Sequence, residues 1–181
     1  MLEAAGVPFE AVAAQIDERA LEAEMVDAEP AEIAQALAAA KAAAVSAQHP
    51  DHWVLGSDSL VEVAGRRFDK PGSREEAAEH LRFFSGKVMT LHSAAALARS
   101  GRIAWIEGDF ARLVVRELSD GFIARYLDAE WPAVGSCVGV FRIEGPGVQL
   151  FESVNGDHFT ILGMPLFPVL AALRTHGVLS A

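Results

Sequence analysis

Cysteine is nearly absent from this 181-residue chain. A single thiol, Cys137, allows no intrachain disulfide and no Cys/His zinc pattern. A reducing cytoplasm is the simplest setting for such a composition. Long hydrophobic runs are missing as well. No apolar stretch approaches the ~18 residues that read as a membrane span. The first residues lack a basic region followed by an apolar stretch, so no secretory signal is read. Lysine is scarce: Lys41, Lys70 and Lys87 are the only three. Basic residues number 15 against 25 acidic ones, for a formal charge of −10. Nine of the acids and only two bases fall in residues 1–50. That balance excludes a broad basic face, so neither a nucleic acid polymer nor a membrane is an expected partner. It does not exclude a single nucleotide, which needs only a few cations and a metal ion.

What is there reads as one globular domain over residues 1–181, with 51% hydrophobic residues and no Pro/Gly/Ser linker. Residues 1–5 resemble the end of a helix closed by Gly6. Residues 7–16 have strand character, and 17–30 read as an acidic loop. Residues 31–48 are predicted helical: ten of these eighteen are alanine. Short strands are expected at 53–55 and 60–63, with a return at 67–68. Ser73 and Glu76 form a capping box for a helix to about Phe84. Two long strands, 87–98 and 102–116, turn at Ser100-Gly101. Ser119 opens a helix through Leu127, residues 134–152 look strand-like, and a last helix runs from Pro165 to His176. The class is α/β (α+β) with a mixed sheet and flanking helices.

Five segments could carry chemistry, and each has two readings. Asp58, in Gly56-Ser57-Asp58-Ser59, is either a turn aspartate bonding its own backbone or a carboxylate that holds Mg²⁺ or takes a proton from water. Lys70, held extended before Pro71, is a solvated turn lysine or a compact charge for a phosphate. Lys41, alone among alanines, snorkels to water or points into a cleft. Asp17-Glu18 is a solvated acidic turn or supplies a metal-binding carboxylate. Gly139 to Gly147, around Arg142 and Glu144, is a structural turn or a close approach to a ligand. No P-loop, dinucleotide fingerprint or nucleophile elbow is present.

In this order the segments resemble one family. Gly6-Val7-Pro8-Phe9-Glu10, Ile16-Asp17-Glu18, the Lys41 helix, Gly56-Ser57-Asp58, Asp69-Lys70-Pro71, Ser85-Gly86-Lys87, Ile143-Glu144-Gly145, Asn155-Gly156-Asp157 and Leu162-Gly163-Met164-Pro165-Leu166 together look like a Maf nucleoside triphosphate pyrophosphatase. The resemblance covers essentially the whole chain. It implies a Maf/ITPase-like fold, a twisted mixed sheet with two lobes around a cleft. It implies cleavage of a nucleoside triphosphate to the monophosphate and pyrophosphate, with Mg²⁺ or another divalent cation. By resemblance Asp58 is the base or a metal ligand, Glu18 helps hold the metal, and Lys41 and Lys70 neutralise the triphosphate. Glu144 stands where many members have glutamine, which leans toward the branch acting on 7-methyl-GTP rather than dTTP or UTP. A homodimer is a family expectation. Family members carry an upstream strand and a Ser-x-x-Arg-Arg loop, so a later start or a true lack of that loop is expected here. The alternative is a catalytically silent relative that binds a nucleotide or a partner. An unrelated phosphatase using Asp58 as nucleophile would want a second aspartate two residues on, where Leu60 stands.

Overall fold

The structure is a computed structural model and describes residues 1–180. The helices are α1 (Glu18–Ala23), α2 (Pro30–Gln48), α3 (Arg74–Phe84), α4 (Asp120–Glu130), α5 (His158–Ile161) and α6 (Leu166–Thr175). The strands are β1 (Val54–Val63), β2 (Arg66–Phe68), β3 (Val88–Arg99), β4 (Arg102–Val115) and β5 (Phe151–Asn155), in the spatial order β2-β1-β3-β4-β5. β1 pairs antiparallel with β2, Val63 facing Arg66, and β4 pairs antiparallel with β5. The β1–β2 and β3–β4 hairpins close through Ala64-Gly65 and Ser100-Gly101. All four of these residues have positive φ, as a type I′ turn requires. Among the described residues no helix is long and apolar enough to cross a membrane.

The chain divides into two compact units. The first comprises Met1–Ser59, Ser93–Asp109 and the segment from Gly163 onward. Its interior is built by α2 (Ile33, Ala34, Leu37, Ala38, Ala42, Val45), by Ala94 to Ala98 of β3, and by Val169, Ala172 and Leu173 of α6. The second comprises Leu60–His92 and Phe110–Leu162. Its core joins Val61, Val63, Phe68, Leu81, Phe84, Leu113, Ile123, Leu127, Val134 and Leu150.

Most elements stand where their signals place them. α2 opens with a capping box between Glu29 and Glu32 and with Pro30 in its first turn. Ser73 accepts from the Glu76 amide and Ser119 from the Phe122 amide, each at a helix start. Four expectations fail. Residues 7–16 form no strand: Val7 is buried, but Phe9, Glu10, Ala11, Val12 and Ala13 are exposed. The acidic stretch after them is partly helical, because the Asp17 carboxylate accepts the Ala20 amide at 2.9 Å and caps α1. The two short strands at 53–55 and 60–63 are one ten-residue strand, β1. Residues 134–152 are mostly turns, with 3-10 segments at Ala133–Ser136 and Pro146–Leu150. Val140 at φ +57° and Pro146 break any extended run there.

Candidate active site

Gly56 sets the geometry of the first unit's polar cluster. A Cβ built there would lie 2.7 Å from the Ala42 amide nitrogen and 3.1 Å from the Ala42 Cβ. Only glycine lets the α2 backbone rest on β1 this closely. Ala38 and Ala42, both fully buried, are the small residues on the helix side. The alanines of α2 are therefore good helix formers that also permit the approach.

That approach brings Lys41 to Asp58. The Lys41 ammonium lies 2.5 Å from Asp58 Oδ1 and 3.0 Å from Glu18 Oε1. The three side chains come from α2, β1 and the first residue of α1. The Asp58 carboxylate is 11% exposed and Glu18 47%. Ser57 and Ser59 flank Asp58, so their side chains leave the strand on its opposite face. There the Ser57 hydroxyl lies 2.8 Å from the Ala94 carbonyl and 2.9 Å from the Gly163 carbonyl. Ser59 donates to the same Gly163 carbonyl at 3.0 Å and meets the Ser93 hydroxyl at 2.7 Å. The strand at Asp58 is thus fixed from behind. Nothing in the spacing of the sequence reveals this brace.

The electrostatics follow from burial and proximity. Burial disfavours the Lys41 charge. The hydrogen bonds and fields of Asp58 and Glu18 outweigh it and raise the ammonium above its usual range. Burial pushes the Asp58 carboxyl above the ordinary aspartate value. The Lys41 hydrogen bond and charge oppose that push, while Glu18 and Glu22 add to it. A carboxylate moved toward neutrality is a better proton acceptor at working pH.

A cleft of about 640 Å³ in this unit is lined by Glu18, Lys41 and Ser57 together with apolar Val7, Phe9, Val12, Val45 and Trp53. Asp58 reaches it through Lys41. Among the described residues no group of three or more His, Cys, Asp or Glu could hold a metal ion. Glu18 and Asp58 supply two hard oxygen donors gathered around one cation. That fits Mg²⁺, which is commonly held by one or two carboxylates and completes its shell with substrate phosphates and water.

The other expected residues lie in the second unit. Lys70 is exposed on the loop after β2, and Glu144 is exposed between the two 3-10 segments. The Glu18–Lys41–Asp58 group belongs to the first. Several motif residues turn out to be architectural. Asp157 accepts the Phe159 and Thr160 amides and caps α5. Gly156, at φ +141°, leaves no room for a Cβ against Ala111. Lys87 donates to the Phe83 carbonyl at 2.5 Å and so closes α3. The ionic pair of Arg142 leaves no signal in the sequence. Arg142 forks onto Glu130 with Nε–Oε2 at 2.9 Å and Nη2–Oε1 at 3.1 Å.

The site thus joins an α/β fold, a glycine-seated helix and a carboxylate–lysine–carboxylate cluster at a cleft. Comparison with known proteins gives the family. A model of the Maf-like proteins matches residues 1–176, and the chain belongs to the Maf family. It is 47% identical over 180 residues to a nucleoside triphosphate pyrophosphatase of Nitrobacter hamburgensis, covering 99% of this chain and 89% of that one. It is 46% identical over 183 residues to a 7-methyl-GTP pyrophosphatase of Rhizobium meliloti, covering 100% and 92%. A 7-methyl-GTP pyrophosphatase of Brucella suis is 44% identical over 176 residues, 96% of this chain and 88% of that protein.

Proposed function

We propose that this protein is a nucleoside triphosphate pyrophosphatase, converting a nucleoside triphosphate to the monophosphate and pyrophosphate. The observation that carries the reading is the Lys41 ammonium shared by Asp58 and Glu18 at the wall of a cleft. Phosphoanhydride hydrolysis demands a positioned water, a base and positive charge on the phosphates rather than a covalent nucleophile. Asp58 is the base that takes the proton of the attacking water. Its raised proton affinity and its braced strand suit that role. Lys41 faces the phosphate chain as charge builds on it. Lys70 is the second phosphate cation and Glu144 contacts the base; both assignments rest on the resemblance to the family. Glu18 and Asp58 would hold a divalent cation, Mg²⁺ by the chemistry of the donors, and such an ion supplies charge neutralisation and substrate alignment.

The preferred substrate in this proposal is 7-methyl-GTP. The Glu144 carboxylate suits a base that is cationic or presents N–H donors. The 7-methyl-GTP pyrophosphatases among the relatives support this choice. The protein works on free nucleotide in the cytoplasm, as a homodimer, without a nucleic acid polymer or a membrane as partner.

The test is pyrophosphate release with Mg²⁺ from 7-methyl-GTP, GTP, UTP and dTTP. We expect release, fastest from the methylated nucleotide. Asp58→Asn should lower turnover by at least ~10², the scale of a positioned acid/base group. Near-normal turnover in that variant would remove Asp58 from the mechanism. Nucleotide binding without any pyrophosphate release from the wild type would leave a binding protein instead.

A further inference from the structure

The second unit holds a buried carboxylate that the mechanism above does not use. Glu130, the last residue of α4, is 4% exposed and is bound by both arms of the Arg142 guanidinium. One helical turn earlier on the same face of α4, the Tyr126 hydroxyl donates to the Val140 carbonyl at 2.9 Å. Val140 has φ +57°, a conformation that a β-branched residue adopts only under constraint. The loop then folds back on itself. The Gly145 amide donates to the Arg142 carbonyl at 3.2 Å, and a Cβ on Gly147 would lie 2.8 Å from the Arg142 nitrogen. Glu144 sits within this pinned loop. It is exposed and makes no hydrogen bond or ion pair among the described residues.

We infer that Glu130 is a positioning residue for base selection: by holding Arg142 it keeps Glu144 a free carboxylate for a cationic or N–H-presenting purine. The inference rests on the reading of Glu144 as the base contact. A guanidinium stays charged at any working pH and seeks a carboxylate. Glu144 lies two residues away, and its field already reaches Arg142. Without Glu130, Arg142 turns to Glu144 and cancels the charge that the base meets. The fork is then a matter of partner choice. One carboxylate is spent on the arginine so that the other is not.

The experiment compares kcat/KM for 7-methyl-GTP and GTP in the wild type, Glu130→Gln, Arg142→Gln and the double variant. Glu130→Gln should cut the preference for the methylated nucleotide by roughly tenfold, mainly through KM, the scale of coupling between neighbouring charged groups. Arg142→Gln should keep the preference, because no guanidinium remains to quench Glu144. The double variant should recover it for the same reason. If Glu130→Gln does not fold, Glu130→Asp keeps the charge with a shorter reach and should show a smaller loss. A purely architectural fork predicts otherwise: Glu130→Gln and Arg142→Gln would lose activity on both nucleotides alike, and the double variant would recover nothing. That result overturns the inference and leaves the proposed activity standing. A wild type that releases no pyrophosphate overturns the activity itself. An active wild type whose preference survives Glu144→Gln overturns the role of Glu144 in reading the base, and the inference with it.

Discussion

Lys41 and Asp58 stand 17 positions apart, on a helix and a strand, and share one hydrogen bond. Each residue stands out in the sequence, Lys41 as the lone cation among alanines and Asp58 just after the apolar run 53–55. Their pairing does not, because it depends on a backbone approach that Gly56 alone permits. Glu130 was illegible for a related reason. A glutamate at a helix end reads as solvated, and only the folded loop shows the arginine that buries it. The Lys41–Asp58 pair makes a titration prediction. Lys41 pulls the Asp58 proton affinity down, while burial, Glu18 and Glu22 push it up. Lys41→Met removes the downward pull alone. On lowering the pH, Asp58 in that variant should therefore take up its proton at a higher pH than in the wild type. Carboxyl NMR titration of the metal-free protein measures this directly. An unchanged or lower midpoint would mean that Lys41 does not tune Asp58.

Elements were legible where periodicity and caps agree, as in α2, α3, α4, α6 and the β3–β4 hairpin. The sequence divides β1 in two because Gly56-Ser57-Asp58-Ser59 is polar and small. It stays a strand because its serines bond to the Gly163 carbonyl behind it and its aspartate is paired in front. The stretch 134–152 misled in the opposite direction, since alternating apolar residues and glycines mimic a strand. Its alternation instead serves tight turns: Gly147 is buried against Arg142, and Gly139 lies against the Phe141 ring. The contact of α2 with β1 is open to test. Gly56→Ala places a methyl group into the helix backbone, and overpacking of this kind costs about 1–3 kcal/mol. We expect that loss in urea denaturation, together with a weaker Lys41–Asp58 pair and reduced turnover. Full stability in Gly56→Ala would show that the helix can shift without cost.

For the whole molecule, the class was legible in the elements, whereas a division in two was implied only by the family resemblance. No linker marks the division, because the chain passes from one unit to the other within β1, β3 and β4. Net charge was legible and has a kinetic consequence. A protein of charge −10 repels a triphosphate at long range, while its few cations act only at close quarters. Raising ionic strength from ~0.01 M to ~0.15 M shortens the screening length from about 30 Å to about 8 Å. That removes the repulsion before it weakens a part-buried lysine. kcat/KM should hold steady or rise over this range. A steep fall in a salt series would mean that the field at the cleft mouth is positive despite the overall charge.

The ammonium held between two carboxylates also makes this chain chemically asymmetric toward acylating reagents. An amine must be unprotonated and reachable to attack an activated ester. Lys41 is engaged by Asp58 and Glu18 and holds its proton tightly, and Lys87 is tied to a helix end. Lys70 alone among the lysines is exposed and unpaired among the described residues. Brief treatment near neutral pH should therefore mark Lys70 and the terminal amine and spare Lys41, with peptide mass mapping as the readout. Acylation appearing at Lys41 would report that the helix has lifted from the strand, so a single tryptic peptide could serve as a gauge of whether the Glu18–Lys41–Asp58 cluster is assembled.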